Sequence, residues 1–366
     1  MHNLTLKKPP RRVIIVSTPG FGDLLLVTPL IRSLKRAWPD VKIDVMMHRG
    51  REAVLEGNPD VDRCLPIPKR MNPFAYLGWL ARLVGRYDLS FAPNGGDRRI
   101  VMMRVAARRT LPMLKSTGTS TWWHKLFATV PVYRDQSVHT TQEVLQLSDV
   151  LGVERVDGVV APHSPTAETT LDKVVPFDWR TTPYAVMHVT THATRKRWSV
   201  EGWTAVARKL EARGWRCVLT GGPLDEGAYI DEVLASIGES AVDLRGRFTM
   251  SEIRALIEAS RVYVGVDTST AHIAGAVGTP TLVVFGPGTP TQFAPWPKGY
   301  SSRTAPFDES AGISRTDNVC VVRGECPCGR DYRKGCGITM PGRARCLDEL
   351  SIDTVLQALD ELLDAH

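Results

Sequence analysis

The sequence predicts an α/β protein built from two doubly wound domains that face a cleft. Three observations predict it. Short β-rich runs without alternation, such as Arg12-Val-Ile-Ile-Val-Ser17, suit strands buried on both faces of a parallel sheet. They alternate with loops and helical apolar periods, the order of β-loop-α-β units. The rhythm then restarts halfway, and 366 residues at roughly 150 per domain leave room for two cores.

In chain order, the first strand runs into Gly20-Phe-Gly22 and a helix from Asp23, with Leu24, Leu25, Val27, Leu30, Ile31 and Leu34 in its apolar set. Lys42 to His48 and Tyr87 to Ala92 read as further strands, and the Arg-rich stretch from Asn94 to Trp123 fits no element clearly. Residues 1–165 are taken as the first domain. Residues 166–183, poor in apolar period and rich in Pro, Thr and Asp, are taken as a linker. Residues 184–349 form the second domain: strands at Tyr184 to Val189, Trp215 to Thr220, Val262 to Val266 and Thr281 to Phe285, with helices at Ser199 to Arg213, Ser251 to Ala259 and Ala271 to Val277. Residues 350–366 read as a terminal amphipathic helix. Ligands in such sheets bind at the carboxyl ends of the strands.

Composition narrows the class. Apolar residues make up 43% and charged residues 23%, which excludes a disordered chain. No run reaches the ~18 apolar residues of a membrane span, and Met1 to Arg12 lacks the apolar core of a secretory signal, so a cytoplasmic protein is expected. Residues 1–165 carry 24 Lys+Arg against 14 Asp+Glu, while the remainder carries 22 against 25. An anionic partner is therefore expected on the first half; a solvated basic face is the alternative. Nucleic acid is not expected, because no aromatic stacking platform accompanies the cations.

Asp23 stands where the first strand gives way to a helix. It reads equally as a helix cap and as a carboxylate placed to accept a hydroxyl proton. Gly22 lets the backbone approach a ligand there, but Leu25 occupies the third glycine of a dinucleotide fingerprint. Asp267-Thr268-Ser269-Thr270, with His272 one turn on, joins a strand to a helix and reads as an anion cradle for a phosphate or diphosphate; an over-supplied N-cap is the alternative. Lys196, in Arg195-Lys-Arg-Trp198, is a cation for a departing diphosphate or part of a solvated turn. Gly221 and Gly222 would let a nucleoside lie against the backbone, with Asp225 or Glu226 on a ribose hydroxyl. Thr191 is assigned to the same donor side, and Arg98, Arg99 and Arg104 to an acceptor. Five cysteines, Cys320, Cys326, Cys328, Cys336 and Cys346, fall within residues 320–346 as C-x5-C-x-C-x7-C-x9-C. Four of them would hold a structural zinc or iron in an otherwise structureless loop, with one surplus; free or redox-paired thiols are the alternative.

Together these segments resemble glycosyltransferase family 9, the ADP-heptose:lipopolysaccharide heptosyltransferases. The resemblance rests on Pro19-Gly-Phe-Gly-Asp-Leu-Leu-Leu-Val-Thr-Pro-Leu30, on Lys196-Arg-Trp-Ser-Val-Glu-Gly-Trp203, and on Val264-Gly-Val-Asp-Thr-Ser-Thr-Ala-His272 continuing to Val284-Phe-Gly-Pro287. It implies a GT-B fold of two Rossmann-like domains, with the acceptor on the first and an ADP-sugar on the second. It implies Asp23 as the base of an inverting displacement, Lys196 and Asp267 to Thr270 on the donor's phosphates, and no catalytic metal. It also implies an anionic glycolipid or glycoprotein acceptor, peripheral contact with the inner face of the inner membrane, and a terminal helix that returns to the first domain. Ser269 departs from the glycine many members carry, and the cysteine spacing departs from their commonest one. A protein (autotransporter) heptosyltransferase is therefore weighed beside the lipopolysaccharide enzyme. A sugar-nucleotide epimerase or hydrolase of like fold and a non-catalytic, metal-stapled binding protein complete the alternatives.

Overall fold

Val13, Ile14, Ile15 and Val16 are wholly buried, so the first strand is covered on both faces and lies inside a sheet. The computed structural model describes residues 4–18, 20–115, 119–191, 193–222, 227–325 and 344–366. They form two compact units divided after Val160.

The N-terminal unit contains β1 (Arg12–Val16), α1 (Phe21–Leu25), α2 (Thr28–Ala37), β2 (Lys42–His48), β3 (Arg63–Ile67), α3 (Pro73–Leu83), β4 (Tyr87–Ala92), α4 (Asp97–Ala106), β5 (Ala107–Leu114), β6 (Val132–Tyr133) and α5 (Thr140–Val150). Its six strands run parallel in the order β3-β2-β1-β4-β5-β6. Leu24 to Val27, Leu30, Ile31 and Leu34 are all buried, and α2 packs on α5. The chain closes on the same helix: the Thr28 and Ser33 hydroxyls accept the N–H groups of Val160 and Val156, each at 2.9 Å. Asp44 is fully buried on β2. Its oxygens accept from Arg12 (3.2 Å), Arg63 (2.7 Å) and the Tyr87 hydroxyl (2.7 Å), the partners an ionised carboxylate needs away from water.

The C-terminal unit contains α6 (Ala167–Val174), β7 (Tyr184–His188), α7 (Val200–Ala212), β8 (Arg216–Thr220), α8 (Gly227–Ile237), β9 (Ala241–Asp243), α9 (Met250–Ala259), β10 (Val262–Val266), α10 (Ser269–Val277), β11 (Thr281–Phe285), α11 (Pro290–Phe293), β12 (Gly312–Thr316), β13 (Val319–Arg323), α12 (Arg345–Asp348) and α13 (Ile352–Leu363). Its strands run β12-β13-β11-β10-β7-β8-β9, parallel except for β12 against β13.

Three expectations are corrected here. The segment expected as a linker holds α6, packed on α9, and Trp179, which is buried and donates to Asp172 at 3.0 Å. The start of the cysteine segment is not structureless: Cys320 lies in β13, between Leu282 and Arg315 of its neighbours. The terminal helix does not return to the first domain. Val355, Ala358, Leu359 and Leu362 of α13 join the core of Leu210, Val284 and Val322, because the face of β11 and β13 beneath them is apolar and needs a cover.

The stretch from Lys196 to Trp203 is held by packing. Trp198 and Trp203 are fully buried and meet edge to face, 5.2 Å apart at 86°. Trp203 donates to the Tyr229 hydroxyl (2.9 Å), which donates to the Trp198 carbonyl (2.6 Å). Ser199 caps α7 by accepting from the Gly202 N–H at 3.1 Å. A Cβ on Gly202 would stand 2.6 Å from the Trp198 ring. Gly202→Ala therefore sets a steric cost of about 1–3 kcal/mol against a helix-propensity gain of about 1. The expected outcome is a Tm lower by about 2 °C or more in a calorimetric scan; a Tm equal to the parent's would show that the indole shifts without cost.

Candidate active site

In the C-terminal unit the site is built where β7, β8, β10 and β11 end. β10 ends at Val266 and α10 starts at Ser269, so Asp267 and Thr268 form the joint. Lys196 reaches this joint from the 3-10 turn Thr194–Lys196: its Nζ donates to the Asp267 carboxylate at 2.5 Å and to the Asp267 carbonyl at 3.1 Å. Both side chains are largely buried, and the Trp198–Trp203 packing fixes the turn that carries the lysine. The loop after β11 closes over the pair. A Cβ on Gly288 would lie 3.4 Å from the Asp267 carboxylate, and one on Gly286 would lie 3.6 Å from the Lys196 Cα.

Thr268 is the N-cap residue of α10 but makes no side-chain cap. Its hydroxyl pairs with that of Thr270 (2.8 Å), which pairs in turn with the buried Tyr263 hydroxyl (2.8 Å). The two threonines thus turn their hydroxyls toward protein rather than outward. What α10 presents to an anion is its first-turn N–H groups and the positive end of its dipole. Ser269 opens this turn half-buried, and His272 is buried within it. A Cβ on Gly265 would come within 2.8 Å of the His188 carbonyl and 2.6 Å of the Tyr263 hydroxyl, so only glycine lets β7 and β10 end side by side.

Not every donor-side expectation lands here. Glu226 lies outside the described residues. Gly221 ends β8, yet the space a Cβ would fill is taken by Ile230 (2.7 Å) and Thr190 (3.4 Å), so this glycine makes room for α8 rather than for a ligand. Gly222 and Thr191 follow their strands half-buried. His188 has no place in the motifs, but it is the last residue of β7, buried, with Nδ1 2.9 Å from the Thr220 hydroxyl.

In the N-terminal unit Asp23 sits in the first turn of α1. One of its oxygens accepts the Gly20 N–H at 2.8 Å, the capping contact, and Gly22 stands beside it in the same turn. The carboxylate also lies within the field of Arg99 and Arg134, both half-buried. Arg99 donates to the Thr18 hydroxyl (2.6 Å), Arg51 to the Thr18 carbonyl (2.5 Å), and Arg134 pairs with the buried Glu143 at 2.8 Å. A carboxylate and three guanidiniums thus gather past the ends of β1, β2, β4 and β6. Beside them a pocket of roughly 330 Å³ is lined by Thr18, His48, Lys69, Met71, Arg98 and Arg99. Burial first, and then the charge of Arg51, holds His48 below its usual range, so a neutral imidazole faces these cations.

Of the arginines expected for an acceptor, Arg98 and Arg99 line this pocket, but Arg104 does not. It is in the last turn of α4, six residues or about 9 Å along the axis from Arg98, and leans on the Ala107 carbonyl where β5 begins. His48, Arg51, Lys69, Arg134 and His188 were missed. Each ends a strand or follows one within three residues on its carboxyl side, and that position is the signal that would have found them.

Among the cysteines, Cys326, Cys328 and Cys336 lie outside the described residues. Cys320 and Cys346 are buried in the core under α13. Burial pushes the Cys320 thiol up to about 12, which opposes the thiolate a metal requires, so the expectation of a ligand at Cys320 is corrected to a packed core thiol. Among the described residues no group of three His, Cys, Asp or Glu side chains is placed to hold a metal.

Comparison with known proteins agrees with this arrangement. Residues 119–319 match the family described as Glycosyltransferase family 9 (heptosyltransferase). The chain is 31% identical over 288 residues to lipopolysaccharide heptosyltransferase 3 of Escherichia coli, covering 75% of this chain and 83% of that protein. In fold it is similar to the glycosyl transferase family 9 protein from Veillonella parvula DSM 2008 (TM-score 0.78, 18% identity, 97% and 98% of the two chains). It is likewise similar to the E. coli heptosyltransferase WaaC solved with ADP (TM-score 0.71, 19% identity, 96% and 99%).

The buried histidine yields a stability test. Burial pushes His188 down to about 4, whereas in the unfolded chain it titrates near 6.5. Between these values only the unfolded state binds the proton, so this contribution is complete above about pH 6.5 and is lost as pH falls toward 4. Stability of the parent should drop between pH 7.5 and pH 5 by about 2 kcal/mol more than that of His188→Asn, measured by denaturant unfolding. Equal drops would show that His188 is charged in the fold.

Proposed function

The chain belongs to glycosyltransferase family 9 and has the GT-B fold, and on that premise we propose that it transfers a heptose, with inversion, from an ADP-sugar to a hydroxyl of a lipopolysaccharide core acceptor. The observation that carries the donor half is Lys196 held by Asp267 at the uncapped N-terminus of α10. Two of its three N–H donors go to Asp267, and the third is available to a phosphate oxygen. Together with the first-turn N–H groups of α10, it meets the two charges of a diphosphate without a metal ion. The relatives support the sugar and the nucleotide: the E. coli protein is a lipopolysaccharide heptosyltransferase, and WaaC was solved with ADP.

The acceptor half falls to Asp23. The acceptor oxygen forms a bond to C1 of the sugar as the bond from C1 to the diphosphate oxygen breaks, and the hydroxyl proton passes to the Asp23 carboxylate. Arg99 and Arg134 keep that carboxylate ionised and ready to accept. Lys196 and the α10 dipole take up the charge that grows on the leaving ADP, so their contribution is largest in the transition state.

Asp23→Asn retains an oxygen for the Gly20 N–H and so isolates the chemistry. It should lower kcat by roughly 10²–10⁴-fold while calorimetric ADP affinity stays within a few-fold. An equal loss of both would make Asp23 a helix cap only. Lys196→Ala should weaken ADP binding roughly tenfold or more and lower kcat as well; unchanged titrations would remove Lys196 from the donor site.

A further inference from the structure

Helix α3 carries two apolar stripes, and the fold buries only one. Tyr76, Trp79, Leu80 and Leu83, spaced i, i+3, i+4, i+7, pack on the core of Ile100 and Met103. Phe74, Leu77, Gly78 and Ala81 have the same spacing one step round the helix and face solvent, Phe74 at 84% and Leu77 at 59% exposure. A solvent-facing helix surface ordinarily carries charged or polar residues. The 3-10 segment Thr119–Phe127 repeats the arrangement: Trp123 and Phe127 pack on the same core, while Trp122 (65%) and Leu126 (71%) are exposed beside the exposed Lys125. Both elements pack against α4, so the exposed apolar groups share one side of the N-terminal sheet.

Charge identifies what covers this side. From Arg63 to Tyr87 the sequence holds five cations, Arg63, Lys69, Arg70, Arg82 and Arg86, and no carboxylate. Lys69, Arg70, Arg82 and Arg86 are exposed around α3, and Arg82 lies 5.7 Å over the Trp79 ring. Large apolar side chains ringed by cations alone suit the interface of an anionic bilayer, where the rings enter the headgroup layer and the cations meet lipid phosphates. A protein partner with an acidic rim would find the same charges, but exposed Phe, Leu and Trp tips scattered over two helices make no groove for it.

We propose that α3 and the 119–127 segment form a surface that docks this protein on an anionic membrane. Lys69, Met71 and Arg98 line the pocket beside Asp23 and also adjoin the first turn of α3. The docked surface therefore sets that pocket at the lipid headgroups, where a membrane-held acceptor presents its sugars. The proposal stands on exposure and charge and does not depend on the transfer reaction.

Flotation with vesicles of phosphatidylglycerol and phosphatidylethanolamine tests it. The parent should float with the anionic vesicles and detach as salt is raised. Phe74→Asp/Leu77→Asp, at exposed positions, should reduce partitioning roughly tenfold or more with an unchanged circular dichroism melt. Arg82→Gln/Arg86→Gln should weaken binding and flatten its salt dependence. ADP titration of the same samples reports separately on the donor site, and neither pair of changes should move it. A parent that stays in solution, or a double aspartate variant that floats like the parent, would overturn the proposal. So would self-association in sedimentation that the aspartates abolish without any vesicle binding, which would assign the surface to a second copy of this chain.

Discussion

The ion pair of Lys196 with Asp267 is the contact on which the donor side depends. It ties the turn after β7 to the joint between β10 and α10, and so fixes the lysine next to the uncapped N–H groups of that helix. A pair this far out of water adds little net stability, because desolvation offsets its attraction. What it does is hold a cation in place before an anion arrives, which spares reorganisation when charge develops. The surrounding packing serves this placement. Trp198 and Trp203 clamp the turn from below, Gly202 makes room for the indole, and Gly286 and Gly288 let the loop after β11 pass close to the pair.

The N-terminal sheet carries its charges differently at its two ends. Near the start of the strands, Asp44 is buried and fully partnered by Arg12, Arg63 and Tyr87, a closed network with nothing to offer a ligand. Past the carboxyl ends, Arg51, Arg99 and Arg134 gather by Asp23, and their bonds to Thr18 and Glu143 hold them there. Asp23 serves as a cap and is also set among cations. The capping bond that makes it look structural is what orients it, so the two readings of this residue describe one geometry.

Much of this was legible in the residues. Unalternating runs such as Val13 to Val16 and Val262 to Val266 could only be strands covered on both faces, and the joint at Asp267 could only be a strand-to-helix turn. The errors share a cause. Arg104 was grouped with Arg98 and Arg99 because they are close in sequence, but a helix carries residues six apart to opposite ends of a short element. Gly221 was taken for a ligand contact because glycine permits close approach, and what approaches is Ile230. Cys320 was counted with the cysteines beyond it, although Val319 to Arg323 is as apolar and β-rich as the strands recognised elsewhere.

Local physics decided which segments are strands and helices, and where a glycine, a cap or an uncapped helix end must lie, because these depend on neighbours within a few residues. For the same reason the sequence alone determined the α/β class, the duplicated architecture and the anion-binding turn at Asp267 to Thr270. Only the tertiary structure decided which side chains meet: Lys196 with Asp267 across 71 residues, Arg99 with Thr18 across 81, and α13 over the sheet of the C-terminal unit. Those pairings follow from strand order, and strand order follows from how two apolar faces are best covered, a property of the whole chain that no local window contains.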